Sequence, residues 1–72
     1  MGQEYRERLA KNISKFRVAK NLKREELSLA LGFDNSYISK VEKCNVNITI
    51  DRIASIAIYF GIDILELFKV IR

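Results

Sequence analysis

Apolar residues recur along the chain at the spacings of three and four that place them on one face of a helix. In the first segment this pattern predicts a helix over about residues 4–20. Its inward residues are Tyr5, Leu9, Ile13 and Phe16. Asn21 can adopt the left-handed conformation that ends a helix, and Leu22 then supplies the returning apolar contact.

Two short helices are predicted next, over about residues 24–31 and 35–43. Only Gly32, Phe33 and Asp34 separate them, and Asp34 is a suitable N-cap for the second. The inward residues are Leu27, Ala30 and Leu31 on the first helix and Ile38 and Val41 on the second. Two short helices joined by so tight a turn are typical of a helix-turn-helix.

The remaining sequence predicts two further helices, over about residues 50–60 and 64–71. Thr49 can cap the first of them, and Gly61 can end it. Asp63, followed three residues later by Glu66, forms the pattern of a capping box at the start of the last helix. Since strand patterns are weak, the chain is predicted to be all-α: one compact five-helix domain over residues 1–72.

Charge is concentrated in the first third of the 72-residue chain, which carries a net charge of +4 overall. Residues 1–24 hold eight basic and two acidic groups, a net of +6, and the rest carries −2. This asymmetry favours an anionic partner, although a solvated basic helix would give the same pattern. The chain has no His, which excludes His-dependent triads and His-based metal sites. It has one Cys.

These absences favour binding over catalysis. No nucleophile–base pair, carboxylate pair or phosphate loop is visible at a meaningful spacing. We therefore expect no enzyme activity, no cofactor, no metal and no small-molecule substrate. The start of the chain lacks the apolar stretch of a signal peptide, and no apolar run is long enough to span a bilayer, so a soluble cytoplasmic protein without membrane contact is expected.

The outer face of the predicted third helix carries short polar side chains suited to a DNA major groove ~12 Å wide. Asn35 can pair with adenine through two hydrogen bonds, Lys40 can donate to guanine, and Ser36 can donate or accept. Residues at the N-terminal end of a recognition helix are the ones that reach base edges.

In these features the sequence resembles the helix-turn-helix domains of the lambda repressor, Cro and Xre type. The resemblance covers about residues 9–68, and its most specific stretch is Ser36-Tyr37-Ile38-Ser39-Lys40-Val41-Glu42. It implies base contacts by Asn35, Ser36, Tyr37, Ser39 and Lys40. It implies that Lys43 holds the phosphate backbone, and we expect further phosphate contacts by Lys23, Arg24, Asn45 and Asn47. It also implies an internal ion pair between Arg17 and Glu42.

The sequence departs from this family pattern at two turns. Lys23 and Arg24 stand where relatives place a Ser or Thr cap and a Gln, so the side-chain cap is lost, although Glu26 can still reach the cap amide. Arg24 then favours a phosphate contact, with a guanine contact as the alternative. Cys44 replaces a usual Gly, which predicts either a different turn or a left-handed Asn45, and a tolerated loop thiol is favoured over a redox role.

The last predicted helix is apolar on nearly every side, more than one small core can cover. The residues predicted to form a dimer interface are Ile58, Tyr59, Ile64, Leu65, Phe68 and Ile71. The alternative is a monomer that simply buries this helix. We therefore expect a sequence-specific regulator that binds double-stranded DNA as a homodimer on a palindromic operator. It resembles the controller proteins of restriction-modification systems, and a phage-type repressor, an antitoxin or a protein-interaction or RNA-binding module are the alternatives.

Overall fold

A computed structural model describes residues 2–71, in which the regular structure is entirely helical. The elements are α1 (Gly2–Ala19), α2 (Arg24–Ala30), α3 (Tyr37–Glu42), α4 (Ile50–Phe60) and a 3₁₀ helix (Ile64–Phe68). The predicted all-α class is confirmed for this part of the chain. The predicted count of five α-helices is wrong, because the last element is a short 3₁₀ helix.

Local capping signals place the C-terminal end of α1 and both ends of α4 where they were predicted, although α1 begins at Gly2 and not at about residue 4. Asn21 takes a left-handed φ of 57°, and the Leu22 amide donates to the Arg17 carbonyl at 3.1 Å. At the start of α4, the Thr49 hydroxyl accepts from the Arg52 amide at 3.2 Å. Gly61 ends α4 with a φ of 69°, which a residue without a Cβ adopts at little cost.

Helix α3 begins two residues later than predicted, and Asp34 is not its N-cap. The cap position is Ser36, and the Tyr37 amide donates to the Asp34 carbonyl at 2.9 Å. The Asp34 carboxylate instead accepts from the Ser36 hydroxyl at 3.0 Å. Because this local contact engages the Asp34 side chain, Asn35 and Ser36 lie in a turn in front of the helix.

The predicted capping box at Asp63 and Glu66 is not formed. The Asp63 carboxylate accepts from the Leu65 amide at 2.9 Å, and the Glu66 carboxylate pairs with Lys69 at 2.5 Å. The chain is already extended at Lys69, whose ψ is 146°. The predicted α-helix over residues 64–71 is therefore replaced by a five-residue 3₁₀ helix and an extended segment.

A buried side chain on α1 holds the C-terminal segment where the last helix ends. The side-chain amide nitrogen of Asn12, a residue that is 1% exposed, lies 3.0 Å from the Leu67 carbonyl oxygen and 2.8 Å from that of Lys69. These hydrogen bonds fasten the C-terminal segment to α1 at the point where its backbone becomes extended.

The core is formed by apolar side chains from every helix. Its buried members are Leu9, Ile13, Leu27, Tyr37, Ile38, Val41, Ile53, Ile56, Ala57 and Leu67. Two of the residues predicted to face inward do not: Tyr5 is 50% exposed, and Ala30 lies at the surface. The 3₁₀ helix packs on α1 and α4, and α3 packs on both α2 and α1.

A buried serine, which the sequence analysis did not identify, connects α2 to α3. The Ser28 hydroxyl donates to the Arg24 carbonyl at 2.9 Å and accepts from the Ile38 amide at 3.0 Å. The Ile38 amide is in the first turn of α3 and has no acceptor within its own helix. Ser28 therefore satisfies a buried donor and fixes how the two helices cross.

Replacing Ser28 with Ala should lower the free energy of unfolding by about 1–3 kcal/mol, because the Ile38 amide loses its acceptor in a buried position. Urea denaturation followed by circular dichroism measures this change. Ser55→Ala is the matched control, since that exposed hydroxyl donates to the Asp51 carbonyl in the same way but bridges no helices. Equal stability of the two variants would contradict the structural role of Ser28.

Candidate nucleic-acid interface

The helix-turn-helix presents a short run of polar side chains around the start of α3. Helix α3 is anchored by Ile38 and Val41, which are 0% and 4% exposed. Asn35 and Lys40 are exposed, and Ser36 and Ser39 are half-buried. The structure thus places four of the five predicted base contacts on or beside the outer side of α3.

Tyr37, the fifth predicted base contact, belongs to the core. It is 8% exposed, and its ring meets the Phe33 ring edge-on with centroids 4.9 Å apart. The Arg52 guanidinium carbon lies 4.6 Å from the centre of the Tyr37 ring. Little of this side chain is free to meet a base, so Tyr37 is part of the core and not of the candidate surface.

The predicted phosphate contacts lie at the start of α2, at the end of α3 and in the loop before α4, and all are exposed. Lys23 is the N-cap of α2, and Arg24 is its first residue. Lys43 is the C-cap of α3, and Asn45 and Asn47 lie in the loop that leads to α4. Asn47 also accepts a hydrogen bond from Arg6, which ties this loop to α1.

The start of α2 lacks a side-chain cap, as its sequence predicts. Lys23 accepts nothing at this position, but the Glu26 carboxylate accepts from the Lys23 amide at 2.8 Å. This is the half of a capping box that does not need a Ser or Thr. Glu25 and Glu26 also lie in the first turn, where negative charge is favourable to the helix dipole.

Cys44 itself takes the left-handed conformation after α3, with a φ of 59°. The two predicted alternatives, a different turn or a left-handed Asn45, are both wrong. The Asn45 amide donates to the Lys40 carbonyl at 2.9 Å, and the Cys44 amide donates to the Val41 carbonyl at 3.0 Å. These two bonds form the Schellman motif that commonly ends a helix. Cys44 occupies the position that favours Gly, and the left-handed conformation there costs this residue about 1 kcal/mol relative to Gly.

Two arginines share the carboxylate of Glu42. The Nε of Arg17 lies 2.8 Å from Oε2, and the Nε of Arg24 lies 3.0 Å from Oε1. The Arg17 and Glu42 side chains are 11% and 7% exposed, whereas that of Arg24 is 53% exposed. Arg17 also donates to the Leu22 carbonyl at 2.7 Å. The contact of Arg17 with Glu42 was expected from the family resemblance, whereas that of Arg24, which lies 18 positions before Glu42, was not.

The apolar residues predicted to form a dimer interface divide into two groups. Ile58, Tyr59, Leu65 and Ile71 are 79%, 39%, 67% and 43% exposed. Ile64 and Phe68 are half-buried and pack against the core. Val70, which the sequence analysis did not include, is 59% exposed on the same C-terminal segment.

Neither a metal site nor a membrane span is found among residues 2–71. No group of three or more Cys, Asp or Glu side chains is placed there to hold a metal ion. No helix in this part of the chain combines the length and the apolar character needed to cross a bilayer.

Comparison with known proteins matches most of this chain to one family. The helix-turn-helix family pattern matches residues 13–67. A hypothetical transcription factor from Neisseria meningitidis serogroup B is 37% identical over 65 residues, which is 90% of this chain and 61% of that protein. The chain thus spans less than two thirds of the length of this relative.

Two solved structures share the fold. The crystal structure of the hypothetical transcription factor NHTF from Neisseria superposes with a TM-score of 0.88 at 35% identity, covering 96% of this chain and 79% of that one. The restriction-modification controller protein C.AhdI from Aeromonas hydrophila superposes with a TM-score of 0.80 at 30% identity, covering 88% of this chain and 96% of that one. This chain therefore belongs to the Xre-type helix-turn-helix family of DNA-binding transcription regulators.

Proposed function

We propose that the protein is a sequence-specific regulator that binds double-stranded DNA as a homodimer and acts as a controller of a restriction-modification system. The observation that carries the DNA-reading part is the presentation of α3. Ser28, Ile38 and Val41 hold its inner side, and Asn35 and Lys40 stay exposed at its outer side. A helix anchored in this way can enter a major groove as a rigid unit.

Base reading is assigned to Asn35, Ser36, Ser39 and Lys40. Asn35 precedes α3 and has both a donor and an acceptor to pair with adenine, and Lys40 carries a donor for guanine. The Ser36 hydroxyl donates to Asp34 in the free protein, which leaves its oxygen able to accept. Mutation of any of these four residues should therefore change which DNA sequence the protein prefers.

Backbone binding is assigned to Lys23, Arg24, Lys43, Asn45 and Asn47. Lys23 and Arg24 open α2 and Lys43 closes α3, so positive charge lies at separate places around the reading residues. Such contacts fix the position of a protein on DNA without selecting a sequence. Arg24 must leave or share its contact with Glu42 when it meets a phosphate, and that carboxylate retains Arg17 as its partner.

The homodimer is assigned to the C-terminal apolar surface, namely Ile58, Tyr59, Leu65 and Ile71 with the half-buried Ile64 and Phe68. Exposed apolar groups in this number are uncommon on a monomer and typical of an interface. In a two-fold dimer the recognition helices enter successive major grooves about 34 Å apart and read a near-palindrome.

The controller assignment is supported by the resemblance to C.AhdI, whose chain is covered over 96% of its length. A phage-type repressor or an antitoxin of the same family would use the same DNA surface. Identification of the operator separates these roles, because the proposal requires a site beside the genes of a restriction-modification system. An operator located elsewhere would contradict the controller role and leave the DNA-reading proposal unaffected.

Selection from a random duplex library, followed by titration at a salt concentration of ~150 mM, tests DNA reading. We expect the selected duplex to bind at least about 10³-fold more tightly than random duplex. Asn35→Ala should reduce that ratio, since each lost base contact costs about 1–3 kcal/mol on the correct sequence. Lys43→Ala should weaken binding to both duplexes equally.

Two outcomes would contradict this assignment. Equal affinity of the wild-type protein for selected and random duplexes would exclude sequence-specific binding. Tighter binding to single-stranded RNA than to any duplex would favour an RNA-binding module, although the buried ring of Tyr37 is a poor surface for stacking an unpaired base.

A further inference from the structure

Arg52, in the first turn of α4, has an environment that differs from that of the other arginines. Its guanidinium carbon lies over two aromatic rings, 4.9 Å from the centre of Phe33 and 4.6 Å from the centre of Tyr37. Thr49 accepts from its backbone amide, so its place at the start of α4 is fixed. A cation held over two rings pays less conformational entropy when it binds than one on a free stem.

The guanidinium N–H groups of Arg52 make no hydrogen bond within residues 2–71. The other four arginines in that range, Arg6, Arg8, Arg17 and Arg24, each donate to a protein oxygen. No carboxylate in that range, including the adjacent Asp51, lies within salt-bridge distance of Arg52. Stacking engages the face of a guanidinium and leaves the N–H donors along its edge available for a planar anion.

Both aromatic partners of Arg52 belong to the helix-turn-helix. Phe33 lies in the turn between α2 and α3, and Tyr37 is the first residue of α3, directly after Ser36. The guanidinium is therefore held at the N-terminal end of α3. In a helix-turn-helix this is the end that approaches the base edges and the phosphates beside them.

We propose that Arg52 is a DNA-backbone contact that the family resemblance did not indicate. Its guanidinium donates to a phosphate oxygen next to the bases that Asn35 and Ser36 read. Phe33 and Tyr37 act as the platform that positions it. A phosphate is favoured over a base as the partner, because Arg52 belongs to α4 and approaches from beside the recognition helix.

This inference rests on the proposed DNA binding, and the salt dependence of affinity tests it. Titration of the selected duplex between about 50 and 200 mM salt gives the slope of log K against log salt, to which each phosphate contact contributes about 0.9. Arg52→Ala should reduce the magnitude of that slope by about 0.9. It should also weaken binding about tenfold on selected and random duplexes alike.

Lys15→Ala is the matched control. The Lys15 ammonium lies 5.2 Å from the centre of the Phe16 ring, so this variant also removes one positive charge and one cation–π contact. Phe16 packs on Phe60, at the opposite end of α4 from Arg52. Those ends are eight residues and about 12 Å apart, and we expect the salt slope of this control to equal that of the wild type.

Further variants separate DNA contact from folding. If Arg52→Ala is less stable to heat, Arg52→Gln keeps a long stem on the rings and should show the same loss of slope. Arg52→Lys keeps the charge and should retain the wild-type slope. Phe33→Leu should weaken affinity about threefold without changing the slope, since it removes part of the platform and no charge.

The outcomes distinguish this inference from the proposal on which it rests. If the wild-type protein binds the selected duplex and Arg52→Ala and Arg52→Gln both keep its slope, Arg52 serves only to pack on the rings and the inference is overturned. If the wild-type protein prefers no duplex, the proposed function fails first, and the assignment of Arg52 fails with it.

Discussion

Glu42→Ala should destabilise the protein by about 3–5 kcal/mol, because it leaves the Arg17 guanidinium buried without its carboxylate. Arg17 and Glu42 are 11% and 7% exposed, so water cannot replace the lost partner at low cost. Small domains have a free energy of unfolding of about 5–15 kcal/mol. We therefore expect a large fall in the urea midpoint and a substantially unfolded population at 37 °C.

Arg24→Ala is the control for this variant, since it removes the other ion pair of the same carboxylate. Its side chain is 53% exposed, and Glu42 keeps Arg17, so the expected loss of stability is at most about 1 kcal/mol. Arg24→Ala should nevertheless weaken binding to every duplex. Arg24→Ala should thus affect DNA affinity more than stability, whereas Glu42→Ala has the larger effect on stability.

The double variant Arg17→Met/Glu42→Leu separates the cost of an unpaired charge from the value of the pair. Apolar replacement of both partners of a buried pair is often neutral or stabilising. Here we expect incomplete recovery, because Arg17 also donates to the Leu22 carbonyl and Met cannot. A double variant as unstable as Glu42→Ala would show that the loss arises from packing and not from an isolated charge.

Elements whose ends are set by adjacent residues were predictable from the sequence. Helix α4 runs from Ile50 to Phe60 as predicted, because Thr49 and Gly61 are both local signals. The C-terminal segment was mispredicted for the opposite reason. Its carbonyls are taken by Asn12, 55 positions before Leu67, and no local pattern reveals that contact.

In the candidate DNA surface too, features set by local sequence were predictable and features set by long-range contacts were not. The exposure of Lys40 follows from helical spacing around Ile38 and Val41, which the sequence displays. Asn35 is exposed because it lies in the turn before α3. The burial of Tyr37 depends on two rings and a cation that meet only in the folded chain. Sequence patterns thus located the recognition helix, whereas long-range contacts determine which of its neighbours remain available for DNA.

Ile58→Asn/Leu65→Asn should convert the protein from a dimer to a monomer and weaken binding to the full palindrome by about a hundredfold or more. The two side chains are 79% and 67% exposed in the single chain, so replacing them should not affect the core. Asn adds no charge, and the change in affinity therefore cannot come from repulsion of DNA. Sedimentation at micromolar concentration and titration of the palindrome measure the two effects.

A duplex that carries one half-site distinguishes lost dimerisation from a damaged reading surface. The variant should bind that half-site as tightly as the wild-type monomer does, since α3 and its supports are unchanged. Val18→Asn/Leu29→Asn is the matched control, because those side chains are 59% and 58% exposed on α1 and α2, outside the proposed interface. Only Ile58→Asn/Leu65→Asn should lose the gain in affinity that comes from two linked half-sites. A wild-type protein that sediments as 8.4 kDa at these concentrations would refute the homodimer.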